Sequence, residues 1–128
     1  IDIIHLPRLK ALLSRTPFSL KRFTSRILTA DEAKEFHYTF LSILNSRDNH
    51  LTIEHNIVSY LGVRWTLKEA TYKALYPHHI VTWKDISIKK TKGKPHITIN
   101  AHEDFGNNMT ISKTHASVAH DGEYVVAQ

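Results

Sequence analysis

The chain has 128 residues and no Cys, and its 17 Lys+Arg against 12 Asp+Glu give a formal net charge of +5 with His neutral. This length allows one domain, able to bury roughly two thirds of the surface its unfolded form exposes. The lack of Cys excludes disulfides, thiol nucleophiles, thiolate zinc sites and iron–sulfur clusters. Apolar residues at 41% and charged residues at 23% describe a globular chain rather than a disordered one. No apolar run approaches the roughly 18 residues of a membrane span. The positive balance points to an acidic partner without naming its class.

In chain order, Ile1-Asp2-Ile3-Ile4 reads as a short strand. Pro7 stands where a following helix wants its first residue, with Leu9, Leu12 and Leu13 as an apolar stripe. A basic stretch comes next, in which Lys10, Arg15, Lys21, Arg22 and Arg26 interleave with Phe18, Leu20, Phe23, Ile27 and Leu28. Thr29-Ala30-Asp31-Glu32 is a capping box, so a helix starts there and runs to about Asn45 with Ala33, Phe36, Phe40 and Leu44 on one face. Asn45 to His50 reads as a loop. Ile53 to Leu75 is predicted helical throughout, with Gly62 weakening the helix but not ending it, and Pro77 closing it. The period then changes: Ile86 and Ile88 alternate, Thr91-Lys92-Gly93-Lys94 turns, and Ile97 and Ile99 alternate again. A second hairpin runs from His115 to His120, turns at Asp121-Gly122 and returns over Glu123 to Ala127. With no repeat or linker, the pattern predicts one α+β domain over residues 1–128, an antiparallel sheet packed against a long helix.

Two places carry chemistry. Asp2 lies among β-branched neighbours, where a carboxylate needs solvent at the strand end or a compensating partner, and an exposed edge is the ordinary outcome. The densest segment is Arg64 to Leu75. Glu69 and Lys73 stand four apart in the favourable order, which by itself describes an exposed helical ion pair. Trp65 is also one turn before Glu69, however, so this carboxylate sits beside an apolar ring rather than on a purely charged face. A helix with Arg64, Lys68 and Lys73 around one carboxylate suits a polyphosphate and its metal.

At these residues the chain resembles the holo-acyl-carrier-protein synthases, the short class of 4′-phosphopantetheinyl transferases. The resemblance rests on Asp2-Ile3-Ile4, Lys21-Arg22-Phe23 to Arg26-Ile27-Leu28-Thr29, the helix Trp65-x-x-Lys68-Glu69-Ala70-x-x-Lys73-Ala74, the turn Gly93-Lys94-Pro95 and the end Ser117-Val118-Ala119-His120. These follow the family order and span nearly the whole chain. The resemblance implies transfer of 4′-phosphopantetheine from coenzyme A to a serine of an apo acyl carrier protein, with Mg²⁺, releasing adenosine 3′,5′-bisphosphate. By the same resemblance Asp2 and Glu69 look like metal ligands, and Lys73 would contact the pyrophosphate. Arg64 resembles the arginine near the 3′-phosphate and adenine end, and Lys68 belongs to the same motif but faces away from Lys73 on the helix. Gly93, Lys94 and Pro95 match a turn that lets backbone approach the nucleotide, although an ordinary hairpin turn accounts for Lys94 equally well. His120 matches a terminal histidine near the phosphates. Arg8, Lys21, Arg22 and Arg26 match or adjoin positions that meet an acidic carrier protein, and a charge run is otherwise a solvated face. The general base stays open between a metal-held water, Glu69 and Lys73.

The resemblance also implies a cyclic homo-oligomer, a trimer, with its site between protomers. Three departures stand out: Ala119 replaces a hydroxyl residue, no glycine precedes Ile1, and no initiator Met begins the chain, so a trimmed start is expected. The context that the resemblance implies is fatty-acid synthesis, mitochondrial or cytoplasmic, with a lean to a fungal mitochondrial type. Two other readings compete. One is a coenzyme A or carrier-protein binding module without activity. The other is a nucleic-acid module, which the charge alone favours and the missing recognition motifs disfavour. The ten His make no zinc motif: His78-His79 are adjacent, and His102 beside Glu103 and Asp104 is a weak cluster.

Overall fold

The computed structural model describes residues 1–45, 53–100, 111 and 113–128. The predicted loop from Ser46 to His50 and the cluster His102, Glu103 and Asp104 lie outside the described residues.

The chain opens with β1 (Asp2–His5) and passes directly into α1 (Leu6–Leu13), with Pro7 in the first turn. Helix α2 (Ser19–Ile27) follows within the basic stretch, and its N-cap, Phe18, makes no side-chain cap. No start signal for this helix is readable beforehand from its residues, because Phe18 at the N-cap carries no capping group. Helix α3 (Ala30–Leu44) begins at the predicted capping box: Glu32 N donates to Thr29 Oγ1 at 3.3 Å and Thr29 N donates to Glu32 Oε2 at 2.8 Å. Helix α4 (His55–Leu75) is the longest element, and Tyr76 and Pro77 end it.

The strands form two antiparallel sheets rather than the one expected. β4 (Val118–Asp121) and β1 flank β5 (Tyr124–Ala127), while β2 (Ile86–Thr91) and β3 (Lys94–Ile99) make a separate hairpin. The first hairpin turns as predicted, with Lys92 at φ 49° and Gly93 at φ 82°, the pair of positive values a type I′ turn requires. The second turn lies one residue beyond the expected one. Asp121 pairs with Tyr124, so the loop is Gly122-Glu123, and Gly122 alone has positive φ, as in a type II′ turn.

Helix α4 is the spine. On one side Ile57, Val58 and Leu61 join Leu6, Leu9, Leu13, Phe23, Ile27, Phe36 and Phe40 in one buried cluster. Further along, Leu67 and Ala70 join Val81, Ile86, Ile88 and Ala127 in a second. Gly62 sits where α4 meets the start of α1: a Cβ there would come within 2.7 Å of Leu6 Cδ2. The expected antiparallel sheet against a long helix is therefore present, and it brings β1 alongside the middle of α4.

Candidate active site

A helix with 3.6 residues per turn puts Trp65, Glu69 and Lys73 on one stripe, and Arg64 and Lys68 on a neighbouring stripe rotated by about 100°. The two stripes have different surroundings.

The first stripe faces β1. Asp2, at the start of β1, accepts from Lys73 Nζ at 2.7 Å, although Lys73 is 71 positions later in the sequence. Trp65 Nε1 donates to Glu69 Oε1 at 2.9 Å, so the ring that adjoined Glu69 in the sequence also orients its carboxylate. The Glu69–Lys73 ion pair expected of an ordinary exposed helix is replaced by these two cross-links. Asp2, Glu69, Trp65, His5, Arg8 and Tyr124 line one groove of about 420 Å³, which also carries Ile3, Leu9 and Leu12. Two carboxylates from separate elements thus open onto a shared concavity.

Its electrostatics follow from the pairing. The Asp2 carboxylate, by hydrogen bond and charge, holds the Lys73 ammonium above the ordinary lysine value. Any stability this pair contributes is fully present below the ordinary lysine pKa and lost only as pH rises through the higher folded value. Lys73 is therefore charged across the physiological range, which suits it to a phosphate oxygen and disfavours it as a proton acceptor.

The second stripe points inward, away from the groove of Asp2 and Glu69. Lys68 is 1% exposed. Its three N–H groups donate to Glu32 Oε2 at 2.7 Å, to the Trp83 carbonyl at 2.9 Å and to the Ile27 carbonyl. An ammonium with all three donors engaged inside the core has none left for coenzyme A. Burial pushes its pKa down, and the Glu32 carboxylate opposes that shift. Arg64 is also buried: its guanidinium donates to Glu35 Oε1 at 3.1 Å and lies 3.5 Å from the centre of the Tyr60 ring. It does not border the groove of Asp2 and Glu69.

The remaining candidates stand apart from this groove. Gly93 is at the tip of the β2–β3 hairpin with Lys94 and half-buried Pro95 beside it, and His120 is exposed on β4 opposite Val125. None of the four lines the groove. Lys21, Arg22 and Arg26 are exposed on α2, whose Phe23 and Ile27 are buried, and Arg8 is exposed at the groove rim.

Sequence reasoning missed Glu32 beyond its capping role, and it turned Lys68 away from Lys73 without finding its buried partner. A signal was available. Arg64 and Lys68 continue the stripe of Ile57 and Leu61 at helical spacing, and a cation on a core stripe needs a buried carboxylate.

The motif order, the paired carboxylates and the helix-on-sheet architecture coincide with a match of residues 1–128 to the family model of the 4′-phosphopantetheinyl transferase superfamily. The chain belongs to that superfamily. It is therefore an enzyme of the transferase class that its motifs implied. It is 32% identical over 134 residues to 4′-phosphopantetheinyl transferase B, mitochondrial, of Aspergillus fumigatus, covering 98% of this chain and 87% of that protein. It is 31% identical over 127 residues to the holo-acyl-carrier-protein synthase of Wolbachia pipientis wMel, covering 98% and 85%. The crystal structure of the Thermotoga maritima holo-acyl-carrier-protein synthase superposes with a TM-score of 0.56 at 25% identity, covering 98% of this chain and 57% of that one. The α+β fold read from the sequence is similar to the fold of the part of that chain it covers. No helix among the described residues is long and apolar enough to cross a membrane.

Proposed function

We propose that the chain is a holo-acyl-carrier-protein synthase, which transfers 4′-phosphopantetheine from coenzyme A to a serine of an apo acyl carrier protein and releases adenosine 3′,5′-bisphosphate. The observation that carries this reading is the groove that Asp2 and Glu69 share, with Lys73 bound to the Asp2 carboxylate at 2.7 Å. In the reaction the serine oxygen forms a bond to the phosphorus bearing pantetheine, and the bond from that phosphorus to the bridging oxygen breaks. The leaving bisphosphate takes the electron pair, and the serine proton passes to a base, with a site water or Glu69 as the candidates that the charge on Lys73 leaves.

The donor set fits Mg²⁺. Asp2 and Glu69 offer only hard oxygens, and the Lys73 ammonium on Asp2 marks a position where a cation is already favoured. Two protein carboxylates leave positions of an octahedral shell for phosphate and water. When bound, Mg²⁺ supplies neutralisation of charge on the diphosphate oxygens. Lys73 adds a fixed positive charge for the pyrophosphate. Trp65 holds Glu69 by its indole N–H and leaves the second carboxylate oxygen for other partners.

The substrate nucleotide is assigned to Gly93, Lys94, Pro95 and His120. Because these do not border the Asp2–Glu69 groove within one chain, the expected trimer with its site between protomers accounts for how the two halves meet. Arg8, Lys21, Arg22 and Arg26 form the basic face for the acidic carrier protein. The fungal relative's name supports a mitochondrial setting.

The test is to incubate the protein with coenzyme A, Mg²⁺ and an apo acyl carrier protein and record the intact mass of the carrier. A gain of one phosphopantetheine is expected. Unchanged mass with a competent carrier would overturn the reading in favour of a binding module without activity. Light scattering should give a trimer, and a monomer at assay concentration would contradict the shared site.

A further inference from the structure

One buried ion pair ties together five segments of the chain. Glu32 is 2% exposed. Its Oε2 accepts from Lys68 Nζ and from Thr29 N, and its Oε1 accepts from Ile88 N at 3.1 Å. Lys68 in turn donates to the last residue of α2, Ile27, and to Trp83 in the segment before β2. Thus α2, the start of α3, β2 and its approach are all bound to one point on α4. That point is the residue immediately before Glu69. On a helix the direction of residue 68 fixes that of residue 69, because the two are separated by a constant rotation of about 100° and a rise of about 1.5 Å.

A lysine fully inside a core is costly compared with an apolar side chain of similar length, and stability alone gives no reason to prefer it. A directional reason exists. Leu or Met at this position would fill the space yet allow α4 to rotate or slide, whereas three hydrogen bonds from one ammonium allow a single setting. Glu69 needs that setting, because its partner Asp2 stands on β1, which the ion pair does not touch. We propose that Glu32, acting through Lys68, is a positioning residue for the Glu69 carboxylate, fixing the rotation and height of α4 at which Glu69 and Asp2 face the same groove. This rests on the proposed function of that groove.

The test reads binding rather than turnover. With Trp83→Phe in every protein, Trp65 is the sole tryptophan and its indole N–H bond to Glu69 makes its fluorescence a reporter of that carboxylate. Each protein is titrated with Mg²⁺ at saturating coenzyme A without carrier protein. Glu32→Gln, and the double variant Glu32→Gln/Lys68→Met in which no uncompensated charge stays buried, should raise the half-saturating Mg²⁺ concentration at least tenfold. The Kd for coenzyme A should change by less than twofold. Val58→Ala, a core truncation elsewhere on α4, should lower the Tm and leave the Mg²⁺ midpoint within twofold. Folded variants whose Mg²⁺ midpoint matches the wild type would overturn the positioning role alone. Loss of coenzyme A affinity with an unmoved midpoint would return Lys68 to a ligand contact and overturn it too. A wild type with no Mg²⁺ response would overturn the groove's assignment itself, together with what rests on it.

Discussion

The two charged stripes of α4 have similar chemistry and opposite fates. Arg64 and Lys68 turn into the core and close on Glu32 and Glu35, while Glu69 lines a groove beside β1 and Lys73 binds Asp2 on that strand. Both stripes hold ion pairs of similar length, 2.7 Å for Lys68–Glu32 and 2.7 Å for Lys73–Asp2. The difference is water. Lys68 and Glu32 are cut off from it, whereas the Lys73 side chain is 54% exposed and can exchange Asp2 for another anion at little cost. A pair that is buried belongs to the fold, and a pair at a groove is available to a ligand.

The sharpest way to break this contrast is to remove one member from each stripe. If Glu69 holds the proposed Mg²⁺, Glu69→Ala should lower phosphopantetheine transfer on the order of 10³-fold, the loss of several kcal/mol from the transition state. Its denaturation midpoint should stay close to the wild type, and a large loss of stability would move Glu69 into the structural class. Lys68→Ala should do the reverse in the denaturation curve, costing about 3–5 kcal/mol by leaving the Glu32 carboxylate buried without its partner. A change under about 1 kcal/mol in that variant would show that the pair is not closed to solvent.

Smaller effects sharpen the same distinction at the surface. Arg22→Glu with Arg26→Glu should raise the KM for carrier protein about tenfold, as steering charge is lost at an exposed rim, with the KM for coenzyme A nearly unchanged. Added salt should reproduce part of that effect in the wild type. Equal changes in both constants would show that α2 is not the docking face. Last, Asp2→Asn should lower the Lys73 titration toward the ordinary lysine value when followed by NMR, because the carboxylate is what raises it. An unmoved titration would mean that Lys73 does not feel Asp2 in solution.

How much of this is legible in the sequence depends on whether a signal is local. The capping box at Thr29 and Glu32, the helical run through Leu75 and the Lys92-Gly93 turn are written in residues three or four apart, and the structure has all of them. The pairing of Trp65 with Glu69 was visible in the same way. Helix α2 was not, since Phe18 offers no cap and the apolar spacing of the basic stretch is short. The shift of the second turn was also hidden. Asp-Gly favours a type I′ turn, but the pairing of β4 with β5 leaves Gly122 first in the loop, where type II′ wants it. The fate of Lys68 depended on contacts 36 and 41 positions away in sequence. Distances of that kind follow from tertiary packing and leave only an indirect trace, a cation on a core stripe.

In the proposed function Asp2 and Glu69 grip one divalent ion against the diphosphate of coenzyme A. The most direct measurement is a crystal structure of the protein with coenzyme A and Mg²⁺. The expected result is one cation with an oxygen from each carboxylate at about 2.0–2.1 Å, a diphosphate oxygen completing its shell, and the Lys73 ammonium moved from Asp2 to phosphate. A diphosphate bound away from both carboxylates, or a cation held by neither, would contradict it.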